Sequence, residues 1–167
     1  MAKVLVAFYS SAGTTRKVGQ AIAAALGADI EDIQEVKSRH LDVQGPGGLG
    51  KFGGIMVAGA ESGIGRATPI LPSKHNPADY DLVVIGTPIW NARLTGPVRA
   101  YIERHKDQFQ SVAFFYTGMD PKPNMRCFQQ MEQACGKAPK ATAGFQAEKV
   151  KADGVAAQVQ EFVSQLA

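Results

Sequence analysis

The sequence predicts an α/β fold in which a five-stranded parallel sheet is covered by helices on both faces. Three observations lead there. Compact β-rich runs alternate with segments whose apolar residues recur at helical spacing. The clearest strands, residues 82–86 and 112–117, are apolar at nearly every position, as strands buried on both faces are. Five such strand-then-helix units fit within 167 residues as one doubly wound domain, residues 1–167.

Taken in order, residues 4–9 form a β-rich run that predicts the first strand. Val18, Ala21, Ile22, Ala25 and Leu26 then share one helical face; Thr14 or Thr15 is the expected cap and Gly27 the expected end. Residues 29–36 predict a weaker strand. Its four acids, Asp29, Glu31, Asp32 and Glu35, suit an edge position and are expected to form a solvated face. Residues 37–81 are long for a structureless connection. A second crossover helix is therefore predicted around residues 49–62. Gly50, Gly53, Gly54 and Gly59 would each cost it about 1 kcal/mol relative to alanine, while its small residues would let it pack closely on the sheet. Residues 68–78, with Pro69, Pro72 and Pro77, read as an extended loop.

After the strand at 82–86, Val98, Tyr101, Ile102 and His105 mark a helix with Thr95 as N-cap and Pro97 in its first turn. The strand at 112–117 precedes a helix whose face carries Cys127, Met131, Ala134 and Cys135 and which Gly136 can end. Residues 142–146 predict a last, weaker strand. Val155, Val159, Phe162, Val163 and Leu166 define the final helix, with Asp153 as its expected cap.

Composition narrows the function. Hydrophobic residues make up 45% and charged residues 20% of the chain, as in soluble globular proteins. No apolar run approaches the roughly 20 residues needed to span a bilayer. The apolar start is too brief for a secretory h-region, so a cytoplasmic location without membrane insertion is expected. The net charge of +3 is spread along the chain, and no basic run interleaves with aromatics, so nucleic acid is not expected as a partner. On one helix Cys127 and Cys135 would lie about 12 Å apart, too far for a disulfide. They do not make a zinc or iron–sulfur ligand set either, and buried thiols are expected. His40, His75 and His105 have no metal-ligand spacing, and no Gly-x-Ser-x-Gly elbow occurs.

Three loops leave the carboxyl ends of the central strands, where doubly wound sheets bind ligands. Ser10-Ser11-Ala12-Gly13-Thr14-Thr15 places hydroxyls and a glycine at a helix start. Unpaired backbone N–H groups and the helix dipole favour an anion there. Without a P-loop lysine, a phosphate monoester suits it better than a triphosphate with Mg²⁺. The second loop, Thr87 through Thr95, holds the only tryptophan, Trp90. It can plug the core or offer a flat face to an aromatic ligand. The third, Gly118 through Asn124, is polar and proline-rich and has no aromatic.

The run VLVAFYSSAGTTRKVGQAIA resembles the FMN-phosphate segment of flavodoxins and flavodoxin-like proteins. YDLVVIGTPIWNARLTGPVRAYIE resembles their isoalloxazine-binding loop with its flanking strand and helix, and FGGIMVAGAESGIGRATPI is similar to the crossover segment of longer bacterial members. The resemblance implies a flavodoxin-like three-layer fold with strand order 2-1-3-4-5 and FMN as cofactor. Ser10, Ser11, Gly13, Thr14 and Thr15, with Ala12 in the same loop, would hold the phosphate. Pro88, Ile89 and Trp90, flanked by Thr87, Asn91 and Ala92, would lie along the isoalloxazine. Thr117 and Gly118, followed by Met119 and Asp120, would border its other side. Two departures stand out. Ala12 replaces a hydroxyl common in the family, and Ala92 replaces a frequent glycine. In flavodoxins a peptide of this loop can flip to present a carbonyl to the reduced flavin. Glycine eases the positive φ that this needs; alanine resists it.

The resemblance implies an electron-transfer flavoprotein that meets a reductase and an acceptor protein transiently, as a monomer or weak dimer. The alternative is an NAD(P)H-dependent quinone or flavin reductase, which needs an open ring face; the absence of an aromatic on the third loop permits one. A third possibility is a binding module that kept the fold and lost FMN. Flavodoxins tend to be acidic, so a sequence pI near 8.9 implies a different partner face.

Overall fold

The computed structural model describes residues 2–36 and 67–166. Five strands, β1 (Val4–Phe8), β2 (Asp29–Asp32), β3 (Leu82–Pro88), β4 (Val112–Gly118) and β5 (Thr142–Gln146), form one sheet in the order β2-β1-β3-β4-β5. Every neighbouring pair runs parallel. The helices are α1 (Thr14–Leu26), α2 (Gly96–His105), α3 (Met125–Cys135), α4 (Ala147–Lys151) and α5 (Ala156–Ser164).

Strand side chains alternate between faces, which divides the core in two. Leu5, Ala7, Val83, Ile85, Val112 and Phe114 meet Val98, Tyr101 and Ile102 of α2 and Met131 of α3. On the other face Val6, Phe8, Val84 and Phe115 meet Val18 and Ile22 of α1 and Val159 and Phe162 of α5. Each fully buried Leu, Ile, Val or Phe side chain contributes about 1.5–3 kcal/mol, so the apolar strands hold helices on both sides. Two glycines make room for this packing. A Cβ at Gly86 would lie 2.0 Å from the Phe115 ring, and one at Gly19 would lie 2.3 Å from Phe8, on which α1 rests.

The strand order, the strand positions and the glycine stops agree with the sequence reading. Gly27 and Gly136 end α1 and α3 at φ 61° and 68°. Cys127 and Cys135 are free and buried, and burial pushes the Cys127 thiol up to about 12. Among the described residues no helix is long and apolar enough to cross a membrane. The helix expected around residues 49–62 lies outside the described residues.

Several expectations are corrected. The N-cap of α1 is Gly13, not Thr14 or Thr15, because the Thr15 hydroxyl is engaged elsewhere. Thr95 does occupy the N-cap position of α2, with Pro97 in the first turn, but its hydroxyl bonds to Thr87 and not to the helix. Asp153 does not cap the last helix. It sits at φ 57° in the turn before α5, where Val155 is the N-cap, and its carboxylate pairs with Lys17. The short α4 was not foreseen; only Val150 of its five residues is buried, too little to leave a period.

The second strand stops at Asp32. Beyond it Glu35 makes an isolated antiparallel bridge with Ile70. The Val36 N–H donates to the Pro69 carbonyl and the Leu71 N–H to the Gln34 carbonyl. The expected solvated acidic face is overturned at Glu31 and Glu35, which are buried, while Asp29 stays exposed and Asp32 part-exposed. Buried Glu31 accepts from the backbone N–H groups of Lys74 and His75, both at 2.9 Å. Buried Glu35 accepts from the Tyr9 hydroxyl at 2.9 Å. Asp29 accepts from the Tyr80 hydroxyl, and Asp32 pairs with Arg16, each at 2.8 Å.

Candidate functional site

The central strands end side by side: Phe8 is level with Gly86, and Pro88 with Thr117. Their loops therefore rise from one edge of the sheet. Thr87, Pro88 and Gly118 are the last strand residues, not the first loop residues, and Thr117 lies in β4 as expected.

The first loop turns into α1 through Gly13 at φ 91°. The Ser10 Oγ accepts the Gly13 N–H at 3.1 Å, which leaves the Ser10 hydroxyl proton free to point elsewhere. The Lys17 N–H donates to the Gly13 carbonyl. The N–H groups of Thr14, Thr15 and Arg16 therefore have no acceptor within the helix. No acid stands in the first turn of α1 to compete for its positive end. The nearby cations are occupied: Arg16 on Asp32, Lys17 on Asp153. An anion placed here meets neutral donors and a helix dipole.

The second loop is pinned at both ends. The Thr87 hydroxyl donates to the Pro88 carbonyl at 2.8 Å and lies 3.0 Å from the Thr95 hydroxyl. Since Thr87 gives its one proton to Pro88, Thr95 donates to Thr87. The Leu94 N–H donates to Gln130 Oε1 of α3 at 2.9 Å. Between these anchors the chain makes a tight turn. The Arg93 N–H donates to the Trp90 carbonyl at 3.0 Å and the Trp90 N–H to the Arg93 carbonyl at 3.4 Å. Asn91 and Ala92 span this turn at φ 50° and 57°, the left-handed pair that a tight primed turn requires. Asparagine tolerates that region; alanine adopts it at a cost of roughly 1–2 kcal/mol.

Ile89 and Trp90 are half-buried, packed on the core cluster beneath α2 and α3. Trp90 meets Tyr9 in a T-shaped arrangement with ring centres 6.0 Å apart and planes at 89°. Trp90 thus packs against the core while keeping some exposed area. The Ile89 N–H donates to the Thr117 carbonyl at 2.9 Å, tying this loop to the end of β4.

The third loop is exposed at Met119 and Asp120. Met119 is 82% exposed. Asp120 accepts the Lys122 N–H at 2.9 Å and so closes its own turn. The loop's far end is anchored by the Asn124 N–H, which donates to the Tyr116 hydroxyl at 2.8 Å. The Thr15 and Thr117 hydroxyls, 2.8 Å apart and buried, join the first loop's helix to this strand. The structure thus brings together the ends of β1, β3 and β4 with residues 10–15, 87–90 and 117–118. Asn91 and Ala92 form an exposed turn tip, and Met119 and Asp120 an exposed rim.

A family model described as NADPH-dependent FMN reductase matches residues 3–157. The chain belongs to the NADPH-dependent FMN reductase family. Its structure is similar to that of a flavoprotein in complex with FMN from Lactobacillus acidophilus NCFM, with TM-score 0.68 and 17% identity over 91% of this chain and 98% of that one. It is also similar to oxidised flavodoxin 2 from Bacillus cereus, with TM-score 0.52 and 13% identity over 98% and 99%. A third likeness is to an NADH:FMN oxidoreductase in its apo form, with TM-score 0.53 and 15% identity over 98% and 89%. At these identities the likeness is one of fold. A search of curated protein sequences returns no relative.

This FMN reductase family member therefore has a flavodoxin-like fold and FMN as its cofactor. The donor chemistry of these loops fits that group. Neutral hydroxyls and unpaired N–H groups at a helix start suit a phosphate monoester, and half-buried Ile89 and Trp90 on the adjacent loop suit an apolar ring. Sequence reasoning missed three supports of the site: Gln130 on the second loop, the Thr15–Thr117 pair, and Glu35 beneath Tyr9. No spacing rule links positions so far apart in the chain.

Proposed function

We propose that this protein is an FMN-dependent oxidoreductase that takes hydride from NAD(P)H and delivers the electrons to a flavin or quinone. The exposed third loop, which has no aromatic to cover a ring, carries this reading. Met119 is exposed and Asp120 accepts the Lys122 N–H, so neither side chain is packed over Gly118, as access by a second planar substrate requires. Membership of the FMN reductase family supports the same reading.

In this assignment Ser10, Ser11, Thr14 and Thr15, with the backbone at Ala12 and Gly13, hold the phosphate. Thr87, Pro88, Ile89 and Trp90 line one side of the ring system, with Asn91 and Ala92 fixing the loop behind them. Thr117 and Gly118 border the other side, and Met119 and Asp120 form the outer rim. FMN, when bound, accepts and donates electron pairs; the protein supplies position and exclusion of water. The turn from Trp90 to Arg93 holds the tip of this loop in one shape. Both of its central residues already stand at positive φ, and hydrogen bonds close it in both directions.

A one-electron carrier is the second reading. It is favoured by exposed Met119 and Met125 beside the same rim, an apolar contact for a redox partner.

The test is FMN-loaded protein with NADPH or NADH and a quinone. Sustained nicotinamide oxidation without an added reductase is the expected result. Reduction only by a separate reductase supports the carrier. Protein that fails to bind added FMN rejects both.

A further inference from the structure

We propose that Glu35 and Tyr9 are positioning residues that set the orientation of Trp90 and thereby the shape of the ring slot; the link to the slot rests on the FMN reading above. Tyr9 directly follows β1, and its N–H donates to the Gly86 carbonyl at 3.3 Å. Its ring is 5% exposed, and its hydroxyl donates to Glu35 Oε2 at 2.9 Å. Packing alone would be served by phenylalanine. The hydroxyl adds a hydrogen bond to a carboxylate, stronger than one between neutral groups. That bond fixes the tip of the phenol and with it the χ1 rotamer of the ring.

Glu35 is itself held by the backbone. It pairs with Ile70 in the antiparallel bridge, with the bonds from Val36 to Pro69 and from Leu71 to Gln34 on either side. The carboxylate is 8% exposed. A buried acid beside a phenol is costly to keep unless it is bonded, so its place under Tyr9 is a specific arrangement. At the other end Tyr9 presents its face or edge at a right angle to Trp90, the geometry that the aromatic quadrupole favours. The Trp90 backbone is fixed in turn by Arg93. Strap, acid, phenol and indole thus form one chain of contacts that ends at the ring loop.

Trp90 is the only tryptophan, so its fluorescence in the FMN-free full-length chain reports on this position alone. Tyr9→Phe and Glu35→Ala should each raise quenching of that fluorescence by acrylamide and weaken FMN binding about three- to tenfold. The double variant should be no worse than either single one, and Glu35→Gln, which can still accept the phenol proton, should restore most of both signals. Circular dichroism checks folding; if Glu35→Ala does not fold, Tyr9→Phe and Glu35→Gln carry the test. Unchanged quenching in folded Tyr9→Phe overturns the positioning role. Changed quenching with unchanged FMN affinity overturns its link to the slot. Loss of FMN binding already in the parent protein defeats the FMN reading while leaving the quenching comparison intact.

Discussion

The hydroxyls of Thr15 and Thr117 meet at 2.8 Å although 102 positions separate them. Both residues are buried, so each is the other's replacement for water. The contact also joins the helix start to the strand end that carries the third loop. Thr15→Val leaves Thr117 buried without that partner. A loss of about 1–3 kcal/mol is expected in urea unfolding, together with weaker FMN binding by fluorescence titration.

Trp90 is half-buried on the loop assigned to the ring. Trp90→Ala should weaken FMN binding by about 1–3 kcal/mol, the scale of losing a stacked aromatic. Isothermal titration with FMN checks this, and equal affinity in the variant would sink the role assigned to the indole.

Ala92 holds a left-handed conformation at φ 57°. Ala92→Gly removes the steric cost of Cβ there and should stabilise the protein by about 1 kcal/mol, or about 2–4 °C in a thermal scan of a chain this size. It should also loosen the turn, so a reductive titration of the loaded variant should deviate more from a single two-electron step than the parent does.

Two phenols titrate late. Loss of hydration, followed by the hydrogen bond to Asp29, pushes Tyr80 up to about 12. Burial, with the charge of Glu31 adding to it, pushes Tyr101 up as well. A raised acid favours the protonated fold, so this stabilisation is fully present below the ordinary tyrosine value of 10.0. It is lost as pH rises from there through about 12. Tyrosinate absorbance should therefore lag a model phenol and then rise together with loss of circular dichroism. Ionisation of all four tyrosines at the ordinary value in a folded chain would contradict this.

What the sequence made legible was local. The apolar runs of β3 and β4 needed no partner to be recognised, and Gly27 and Gly136 end helices by a backbone preference that is their own. What stayed hidden was non-local. Glu31 and Glu35 look like solvated acids until the strap at residues 69–75 and Tyr9 bring donors to them. Thr15 looks like a cap until Thr117 claims its hydroxyl. Asp153 before Gly154 looks like a helix start, yet its positive φ makes it part of the turn between α4 and α5. In the candidate site the residue types were readable from their loops, while Gln130 and Glu35, which hold those loops in place, reach them from other parts of the chain.

The sheet order has a consequence for assembly. The turn proposed to hold the phosphate follows the first strand made, yet its neighbours β3 and β4 are translated much later. A growing polypeptide owns half a receptacle until residue 118 is in place, so nucleotide cannot guide the early steps. Loading belongs to the finished molecule, where mass action protects it. Refolding rates with and without FMN should accordingly coincide, and the holoprotein should differ from the apoprotein in how slowly it comes apart.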